Sequence, residues 1–282
     1  MLKIDVVRSV AALRAAIRPH RQGGARIGLV PTMGALHQGH LELVKAARCA
    51  SDFVVATIFV NPTQFGPAED LDAYPRDEAT DLNLLAATGT DLVYTPSVLE
   101  MYPKGFSTEV RVSGLTRYLD GPARPGHFEG VATVVTKLFT QVQPDVACFG
   151  EKDFQQLQVI RRLTRDLDLP IEIIGVATVR EPDGLAMSSR NRYLSAPERR
   201  IAARLPAIMK QTSEQLASGA SAATLLEAAR SALRAAGFDR IDYLELCDAE
   251  TLEPLASAKE GARLFAAAHL GRTRLIDNWP VR

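Results

Sequence analysis

One stretch decides the fold of this chain, Pro31-Thr32-Met33-Gly34-Ala35-Leu36-His37-Gln38-Gly39-His40. The run before it, residues 26–30, is short and apolar, as a buried parallel strand should be. The residues after it, 39–48, have the spacing of an amphipathic helix. The pattern therefore predicts a strand, a glycine-containing turn and a helix that begins between His37 and His40.

A helix start of this kind favours a bound phosphate group. Its free N–H groups and the positive end of its dipole attract anions, and residues three apart share a helix face. Both imidazoles could thus contact one polyphosphate, which indicates an ATP site. Two alternatives stay open on this motif alone. The histidines could bind a metal, although zinc normally takes at least three protein ligands, or they could simply cap the helix.

Length and charge limit the classes of function. The 282 residues suffice for two unequal domains with packed cores. The 33 basic and 33 acidic residues give a formal net charge of zero, which argues against nucleic acid or an anionic membrane as partner and favours small molecules. Three distant cysteines, Cys49, Cys148 and Cys247, are typical of buried free thiols in a reducing compartment. Without a signal segment or a long apolar run, we expect a soluble, cytoplasmic protein.

The first 180 residues alternate strand-like and helix-like segments. This alternation predicts an α/β domain over 1–180 with a doubly wound parallel sheet. The predicted strands are 27–31, 53–60, 91–94, 146–149 and 171–176. The predicted helices are 8–18, 39–49, 76–87, 131–142 and 154–166.

The pattern changes after the turn signal at 181–184, and we expect a smaller α+β domain over 181–282. Ser195 and Glu198 form a capping box for a helix that Pro206 kinks or interrupts. A second helix is predicted over 221–236, followed by strands 241–247, 263–269 and 274–276.

Doubly wound sheets bind ligands at the carboxyl ends of their strands, where this sequence places Pro31-Thr32, Asn61-Pro62 and Gly150-Glu151, so we expect these motifs to converge on one edge.

Three polar motifs follow predicted strands or a turn. Asn61-Pro62-Thr63-Gln64 suits a small polar substrate, Gly150-Glu151-Lys152-Asp153 offers a lysine for phosphate charge, and Met187-Ser188-Ser189-Arg190-Asn191 has the composition of a mobile phosphate clamp. An ordinary turn, a solvated charged turn and a capping loop are the respective alternatives. The segment 124–130 could bind an anion or be only a loop, and the acidic stretch 70–81 is mainly a solvated face.

Together these motifs resemble the pantoate-beta-alanine ligase family. They occur in the family's order, as PTMGALHQGH at 31–40, NPTQF at 61–65, RPGHF at 124–128, GEKDFQQ at 150–156 and MSSRN at 187–191. The resemblance implies a Rossmann-like fold of the nucleotidyltransferase superfamily. It also implies ATP-dependent joining of pantoate to beta-alanine through a pantoyl adenylate, in the pathway to pantothenate and coenzyme A.

The same resemblance implies roles for individual residues. His40 is the implied proton donor, with His37, Lys152 and Arg190 as further catalytic residues. The implied ATP-binding residues are Met33, Gly34, Ala35, Leu36, His37, Gln38, Gly39, His40, Gly150, Glu151, Lys152, Asp153, Val179, Met187, Ser188, Ser189 and Arg190. The implied substrate-binding residues are Gln64, Gln156, Asn61, Arg124 and Tyr74, of which Gln64 and Gln156 hold pantoate.

The resemblance further implies Mg²⁺ and a homodimer, and the chemistry of the adenylate implies a lid. Asp81 is the candidate magnesium ligand, although Thr80 stands where many relatives carry an acidic residue. Residues 187–191, on a hinge at Gly184, and the smaller domain are the predicted lid, because a wetted adenylate would hydrolyse.

Three other functions remain alternatives. A nucleotidyltransferase of the same superfamily would use a similar histidine pair but release only pyrophosphate. A class I aminoacyl-tRNA synthetase fragment shares the histidine pair, but the zero net charge argues against it. A non-catalytic ATP-binding protein could also retain this fold.

Overall fold

A computed structural model describes residues 4–67 and 69–282, which divide into two compact units. The first unit runs through Val112 and adds Arg124–Glu151 and Gln156–Ala177. The second unit consists of Ser113–Ala123, Lys152–Gln155 and Thr178–Arg282. Two short segments from within the first 180 residues therefore group with the C-terminal part of the chain.

A parallel sheet forms the centre of the first unit, and the predicted fold class is confirmed. Over the described residues it has six strands in the order β1-β4-β3-β2-β5-β6. The strands are β1 Asp5–Val7, β2 Ile27–Thr32, β3 Phe53–Ile58, β4 Leu92–Tyr94, β5 Val146–Gly150 and β6 Glu172–Val176. The central strands are apolar along their length because helices cover both faces of a doubly wound sheet.

Helices connect these strands. In chain order, the helices up to β6 are α1 Val10–Gln22, α2 Gln38–Ala50, α3 Glu78–Thr88, α4 Val98–Met101, α5 Asp120–Ala123, α6 His127–Val142 and α7 Phe154–Asp166. Leu43, Val44 and Ala47 of α2 pack with Val30 of β2 and Val54 of β3 in one buried cluster. Their i, i+1, i+4 spacing is the apolar stripe that the sequence predicted.

Several elements differ from the sequence prediction. Strand β1 and the four-residue helices α4 and α5 are not predicted, because three or four residues carry too little pattern to be recognised. Helix α6 begins at His127 rather than at 131, because Gly126 and Gly130 read as a loop. Gly130 lies inside the helix, where a Cβ atom would stand 2.4 Å from the carbonyl oxygen of Thr63. Glycine is required there by close packing, not by a turn.

The second unit contains an antiparallel sheet of three strands over the described residues, in the order β7-β8-β9. Its strands are β7 Arg240–Asp248, β8 Ala262–Leu270 and β9 Thr273–Pro280, and its helices are α8 Ala196–Ala202, α9 Arg204–Ala217 and α10 Ala222–Ala236. The predicted capping box of Ser195 and Glu198 is confirmed. The predicted interruption near Pro206 is also confirmed. It falls at Ala203, so that the proline lies in the first turn of α9, where its missing N–H costs nothing.

The cysteines are free thiols, but one differs from expectation. Cys148 and Cys247 are buried, and burial raises the pKa of each to about 12. Cys49 is exposed, because it lies one turn after the exposed Lys45 on the outer face of α2. Among the residues that the structure describes, no helix has the length and apolar character needed to cross a membrane.

Candidate active site

The carboxyl ends of three neighbouring strands bring the polar motifs of the first unit together. Strand β2 pairs with β3 on one side and with β5 on the other, all parallel. The motifs that follow these strands begin at Met33, Asn61 and Glu151. The predicted convergence at one sheet edge, the usual ligand position of such sheets, is therefore confirmed for these three motifs.

The two histidines form a capping box at the start of α2. The Nδ1 atom of His37 accepts from the backbone N–H of Gly39 at 3.1 Å, and the Nδ1 atom of His40 accepts from the N–H of His37 at 3.2 Å. The two rings lie 4.1 Å apart between centroids. Because each Nδ1 accepts, each neutral ring carries its proton on Nε2. Both histidines therefore cap the helix, as one alternative predicted, but only through Nδ1. The Nε2–H group of each ring is a donor at the helix N-terminus.

The loop from Met33 to Leu36 is held by a carboxylate from α3. Asp81 is 3% exposed, and its Oδ2 and Oδ1 accept from the backbone N–H groups of Ala35 and Leu36, both at 2.8 Å. Ala35 has a φ of 52° and Gly34 a φ of 80°, which are left-handed conformations that need support from outside the loop. Thr32 Oγ1 accepts from the N–H of Gly34 at 3.1 Å. The loop conformation is therefore fixed from both ends.

Asp81, the predicted magnesium ligand, already holds the loop. Both of its oxygens accept backbone hydrogen bonds. Within 4–67 and 69–282, no group of three or more His, Cys, Asp or Glu side chains is placed to hold a metal ion. Mg²⁺ prefers several carboxylate, phosphate and water oxygens. Magnesium contact by Asp81 stays a prediction, and the phosphates of the nucleotide would supply most of the oxygens around such an ion.

The turn after β3 presents two buried amide side chains. Asn61 is 1% exposed and Gln64 is 9% exposed. Asn61 Oδ1 accepts from Tyr102 Oη at 2.8 Å, and burial raises the pKa of Tyr102, which keeps the phenol protonated as a donor. Asn61 Nδ2 donates to Gln64 Oε1 at 3.1 Å and to the carbonyl of Gly130 at 3.2 Å. These bonds define which end of each amide is the acceptor.

The remaining substrate candidates of the first unit have different surroundings. Arg124 makes a two-pronged ion pair with Glu69, with nitrogen–oxygen distances of 2.9 and 2.6 Å. Tyr74 is buried and packs edge-on against Phe65, with 5.9 Å between ring centroids. Gln156 is half-buried near the start of α7. Substrate contact by these three residues stays a prediction, and the ion pair gives Arg124 a second task.

Within the second unit, Lys152 lies in a short 3-10 turn held at several points. Its backbone carbonyl accepts from Asn278 Nδ2 of β9 at 3.0 Å. Three residues on, Gln155 Nε2 donates to the carbonyls of Leu115 and Tyr118, both at 2.8 Å. The Lys152 ammonium lies 3.8 Å from Asp153 Oδ1, too far for a strong ion pair. The backbone carrying this lysine is thus fixed although its charge is only loosely paired.

The Met187–Arg190 motif and Val179 belong to one hairpin of the second unit. The N–H of Met187 donates to the carbonyl of Val179 at 2.9 Å, so two predicted ATP-binding positions are adjacent. Ser188 caps the 3-10 helix Ser189–Tyr193 and accepts from the N–H of Arg190 at 3.3 Å. The sequence therefore places the hydroxyls and the guanidinium of the motif on a short ordered turn.

The hairpin turn that contains Gly184 is pinned by charged side chains. Arg199 of α8 contacts Glu181 and Asp183, each at 2.5 Å, and its hydrogen bond lowers the pKa of the Asp183 carboxyl. Asn191 Nδ2 donates to Glu181 Oε1 at 2.9 Å. The sequence predicted a hinge at Gly184, and in this structure the turn is tied down on both sides. Lid motion stays a prediction.

Two residues that support the site, Glu69 and Asn278, are not predicted from the sequence. The sequence predicts Asp81 as a magnesium ligand but does not predict the backbone N–H groups that it binds. The local sequence gives no signal for such partners, since Asp81 is 46 residues from Ala35 and Asn278 is 126 from Lys152. Only the spacing of Arg124 and His127, one helical turn apart, could have indicated a pair.

Comparison with known proteins gives one consistent answer. The family model described as pantoate-beta-alanine ligase matches residues 5–280. The pantothenate synthetase of Sphingopyxis alaskensis is 56% identical over 99% of this chain and 100% of its own length. That of Rhodospirillum rubrum is 54% identical over 99% of both chains.

Solved structures agree with the sequence comparisons. The crystal structure of pantothenate synthetase from Thermus thermophilus superimposes with a TM-score of 0.93 at 51% identity, and covers 99% of both chains. The ligase from Francisella tularensis, solved with a β,γ-ATP compound and beta-alanine, superimposes with a TM-score of 0.84 at 33% identity over 99% of this chain and 98% of its own. By its full-length match in sequence and structure, the chain belongs to the pantoate-beta-alanine ligase family.

Proposed function

We propose that this chain condenses pantoate with beta-alanine at the expense of ATP, through a pantoyl adenylate, and releases AMP and pyrophosphate. One observation carries the proposal most directly. The start of α2 combines two histidines that use Nδ1 for capping and carry a proton on Nε2 with a loop that Asp81 holds in place. Such a helix start stabilises phosphate charge. The Francisella relative was solved with an ATP compound and beta-alanine, which supports the choice of substrates.

The first step forms a mixed anhydride. A carboxylate oxygen of pantoate attacks the α-phosphorus of ATP, the bond from that phosphorus to the bridging oxygen breaks, and pyrophosphate leaves with the electron pair. This step requires no side-chain nucleophile, so catalysis depends on positioning and on charge stabilisation. We assign Lys152, Arg190, Ser188 and Ser189 to the phosphates, and His40, with His37, to donation of a hydrogen bond or proton.

The second step forms the amide. The uncharged amine of beta-alanine attacks the acyl carbon of the adenylate, loses a proton, and AMP leaves with the electrons of the carbon–oxygen bond. Gln64 and Gln156 are proposed to hold pantoate, and Gln64 also lies near beta-alanine in this assignment. The remaining implied ATP contacts, at Met33–His40, Gly150, Glu151, Asp153, Val179 and Met187, stay part of the proposal.

The proposal includes the assembly and the cellular setting. The family resemblance supports a homodimer in the cytoplasm on the pathway to coenzyme A, with Mg²⁺ accompanying ATP. A homodimer has twice the chain mass of 30.6 kDa. Light scattering coupled to size-exclusion chromatography measures the mass in solution and tests this proposal. A single-chain mass at micromolar concentration would contradict it.

Product chromatography tests the function directly. The pure protein is incubated with ATP, Mg²⁺ and pantoate, with and without beta-alanine, and nucleotides and pantothenate are separated. AMP and pantothenate formed in equal amounts, at full turnover only with beta-alanine, support the ligase. Pyrophosphate without AMP would indicate a nucleotidyltransferase, and intact ATP in both samples would indicate a binding protein.

A further inference from the structure

Three charged or polar side chains form a continuous series that ends on the backbone of Gln64. Glu69 accepts from Arg124 through both carboxylate oxygens, at 2.9 and 2.6 Å. Arg124 Nη1 lies 2.9 Å from His127 Nε2, and His127 Nδ1 lies 2.9 Å from the carbonyl oxygen of Gln64. We call Glu69, Arg124 and His127 the Gln64 relay. All of its members lie in the first unit.

The two ends of the relay define the protonation of His127. An arginine side chain only donates hydrogen bonds, so His127 Nε2 has to accept from it. A carbonyl oxygen only accepts, so Nδ1 has to carry the proton that binds Gln64. The ring is therefore neutral and in the Nδ1–H form. A second proton on Nε2 would direct an N–H group at the guanidinium and break the contact.

The relay acts on a turn that is tightly packed against α6. His127 is 7% exposed and Gln64 9%, so the hydrogen bond between them is shielded from water. Gly130, one turn further along α6, approaches so closely that a Cβ would lie 2.6 Å from the N–H nitrogen of Gln64. The Gln64 side chain is in turn held between Asn61 Nδ2 and Met33 Sδ, at 3.1 and 3.2 Å. A shift of the Gln64 backbone would therefore move its side-chain amide.

We propose that the Gln64 relay positions Gln64 for pantoate, with Arg124 acting through the neutral Nδ1–H form of His127 rather than on the substrate itself. The proposal rests on the proposed function in one respect, that Gln64 binds pantoate. Arg124 and His127 are positioning residues in this account. The bidentate pair with Glu69 aims the guanidinium at the imidazole and balances its charge.

The tautomer is measured first, because it does not depend on activity. Long-range proton–nitrogen NMR correlation on ¹⁵N-histidine-labelled protein at near-neutral pH separates the two ring nitrogens, and loss of one signal set in His127→Asn assigns the residue. We expect a protonated Nδ1 and an unprotonated Nε2. Protonation of Nε2, in either the neutral or the charged ring, would overturn the proposal.

Two substitutions of His127 then separate the ends of the relay. The amide nitrogen of Asn lies roughly where Nδ1 was, so His127→Asn can still donate to the Gln64 carbonyl. The longer His127→Gln places its amide nearer the position of Nε2 and loses that bond. Pantoate-dependent exchange of pyrophosphate into ATP isolates the adenylation step. We expect KM for pantoate to rise about tenfold in His127→Gln, equivalent to about 1.4 kcal/mol, and less than about threefold in His127→Asn.

The effect should be confined to pantoate. KM for ATP is expected to stay within about twofold of the wild-type value in both variants, since the relay bond acts on Gln64 alone. Equal rises of KM for pantoate in both variants, or an equal rise of KM for ATP, would overturn the relay. Circular dichroism establishes that each variant is folded.

A third variant keeps the proposal testable if His127→Gln does not fold or the proposed function is wrong. Arg124→Met removes the group that donates to Nε2, and we expect the Nε2 signal to move towards that of an imidazole nitrogen without a hydrogen bond, while Nδ1 keeps its proton. An unchanged Nε2 signal in this variant would overturn the relay. Absence of pantoate-dependent exchange in the wild-type protein would instead refute the proposed function, and the Nε2 signal of Arg124→Met would still decide the relay.

Discussion

Removing the Asp81 carboxylate should release the loop that the proposed function assigns to ATP. Its two oxygens accept from the N–H groups of Ala35 and Leu36 at 2.8 Å, in a region that is 3% exposed at Asp81. In Asp81→Ala both N–H groups lose their charged acceptor. Ala35, with a φ of 52°, then has no carboxylate to hold its left-handed conformation.

The magnitude follows from these two bonds. A hydrogen bond to a charged group contributes about 1.5–3 kcal/mol, so we expect Asp81→Ala to lose about 3–5 kcal/mol in free energy of unfolding. If about 2 kcal/mol of that loss favours other loop conformations of the folded protein, roughly one molecule in 30 keeps the binding conformation. The Kd for ATP should then rise about 30-fold. Asp81→Asn keeps one acceptor oxygen, so its free energy of unfolding and its Kd for ATP should lie between those of Asp81→Ala and the wild type.

Asp77→Ala is the matched control on the same helix. Asp77 caps α3 by accepting from the N–H of Thr80 at 3.1 Å, and it is exposed. Its loss should cost about 1 kcal/mol of stability and leave ATP affinity unchanged. Urea denaturation gives the free energies of unfolding, and isothermal titration calorimetry gives the Kd for ATP.

Titrations with Mg²⁺ and with EDTA distinguish a role of Asp81 in holding the loop from a role as metal ligand. If Asp81 holds the loop, its variants weaken ATP binding by the same factor in both buffers. If it binds the metal, the weakening is confined to the Mg²⁺ titration and is relieved by excess Mg²⁺. Wild-type affinity of Asp81→Ala in EDTA, with a defect only in Mg²⁺, would refute the reasoning.

The other predictions are briefer. His40→Ala and Lys152→Ala should each slow adenylate formation at least about a hundredfold, a transition-state loss of about 3 kcal/mol, and near-wild-type rapid-quench rates in both would refute the site. Gly130→Ala places a Cβ 2.4 Å from a carbonyl oxygen and should lose about 1–3 kcal/mol in urea denaturation, with a higher KM for pantoate. The hydrogen bond from Lys259 lowers the pKa of Asp248 to about 2. This carboxylate therefore stabilises the fold above about pH 4 and loses its contribution as the pH falls towards 2, by up to about 2 kcal/mol. Asp248→Asn should flatten that part of the stability curve, and an unchanged curve would contradict the assignment.

The parts of the fold that sequence predicts well are those in which local pattern and burial coincide. Strand β2, Ile27–Thr32, is apolar and almost wholly buried, and the helix after it carries its stripe on one face. The residue pattern of each element is therefore enough to predict which of its faces is buried. Strand β1, Asp5–Val7, is short and only partly buried at the sheet edge, so its residues carry little such information.

The site divides in the same way. His37 and His40 interact across three residues, so their capping geometry could be predicted from spacing alone. Glu69 and Arg124 are 55 residues apart, and nothing near either residue indicates the other. Folding brings such partners together through the order of the strands in the sheet, and local sequence patterns do not reveal that order. The sequence therefore predicts a carboxylate in an acidic stretch, such as Asp81, as a magnesium ligand but does not predict the backbone N–H groups that it binds in the structure.

The chain enters the second unit three times, at Ser113, at Lys152 and finally at Thr178. Asp120, in the first of these segments, is 7% exposed and accepts hydrogen bonds from Arg274 at 2.6 Å and from Tyr243 at 2.9 Å. The gene therefore contains no single point at which the two units can be recombined with those of a relative. A chimaera joined near residue 180 would pair one parent's Asp120 with the other parent's arginine and tyrosine. Functional hybrids should require three matched exchanges rather than one.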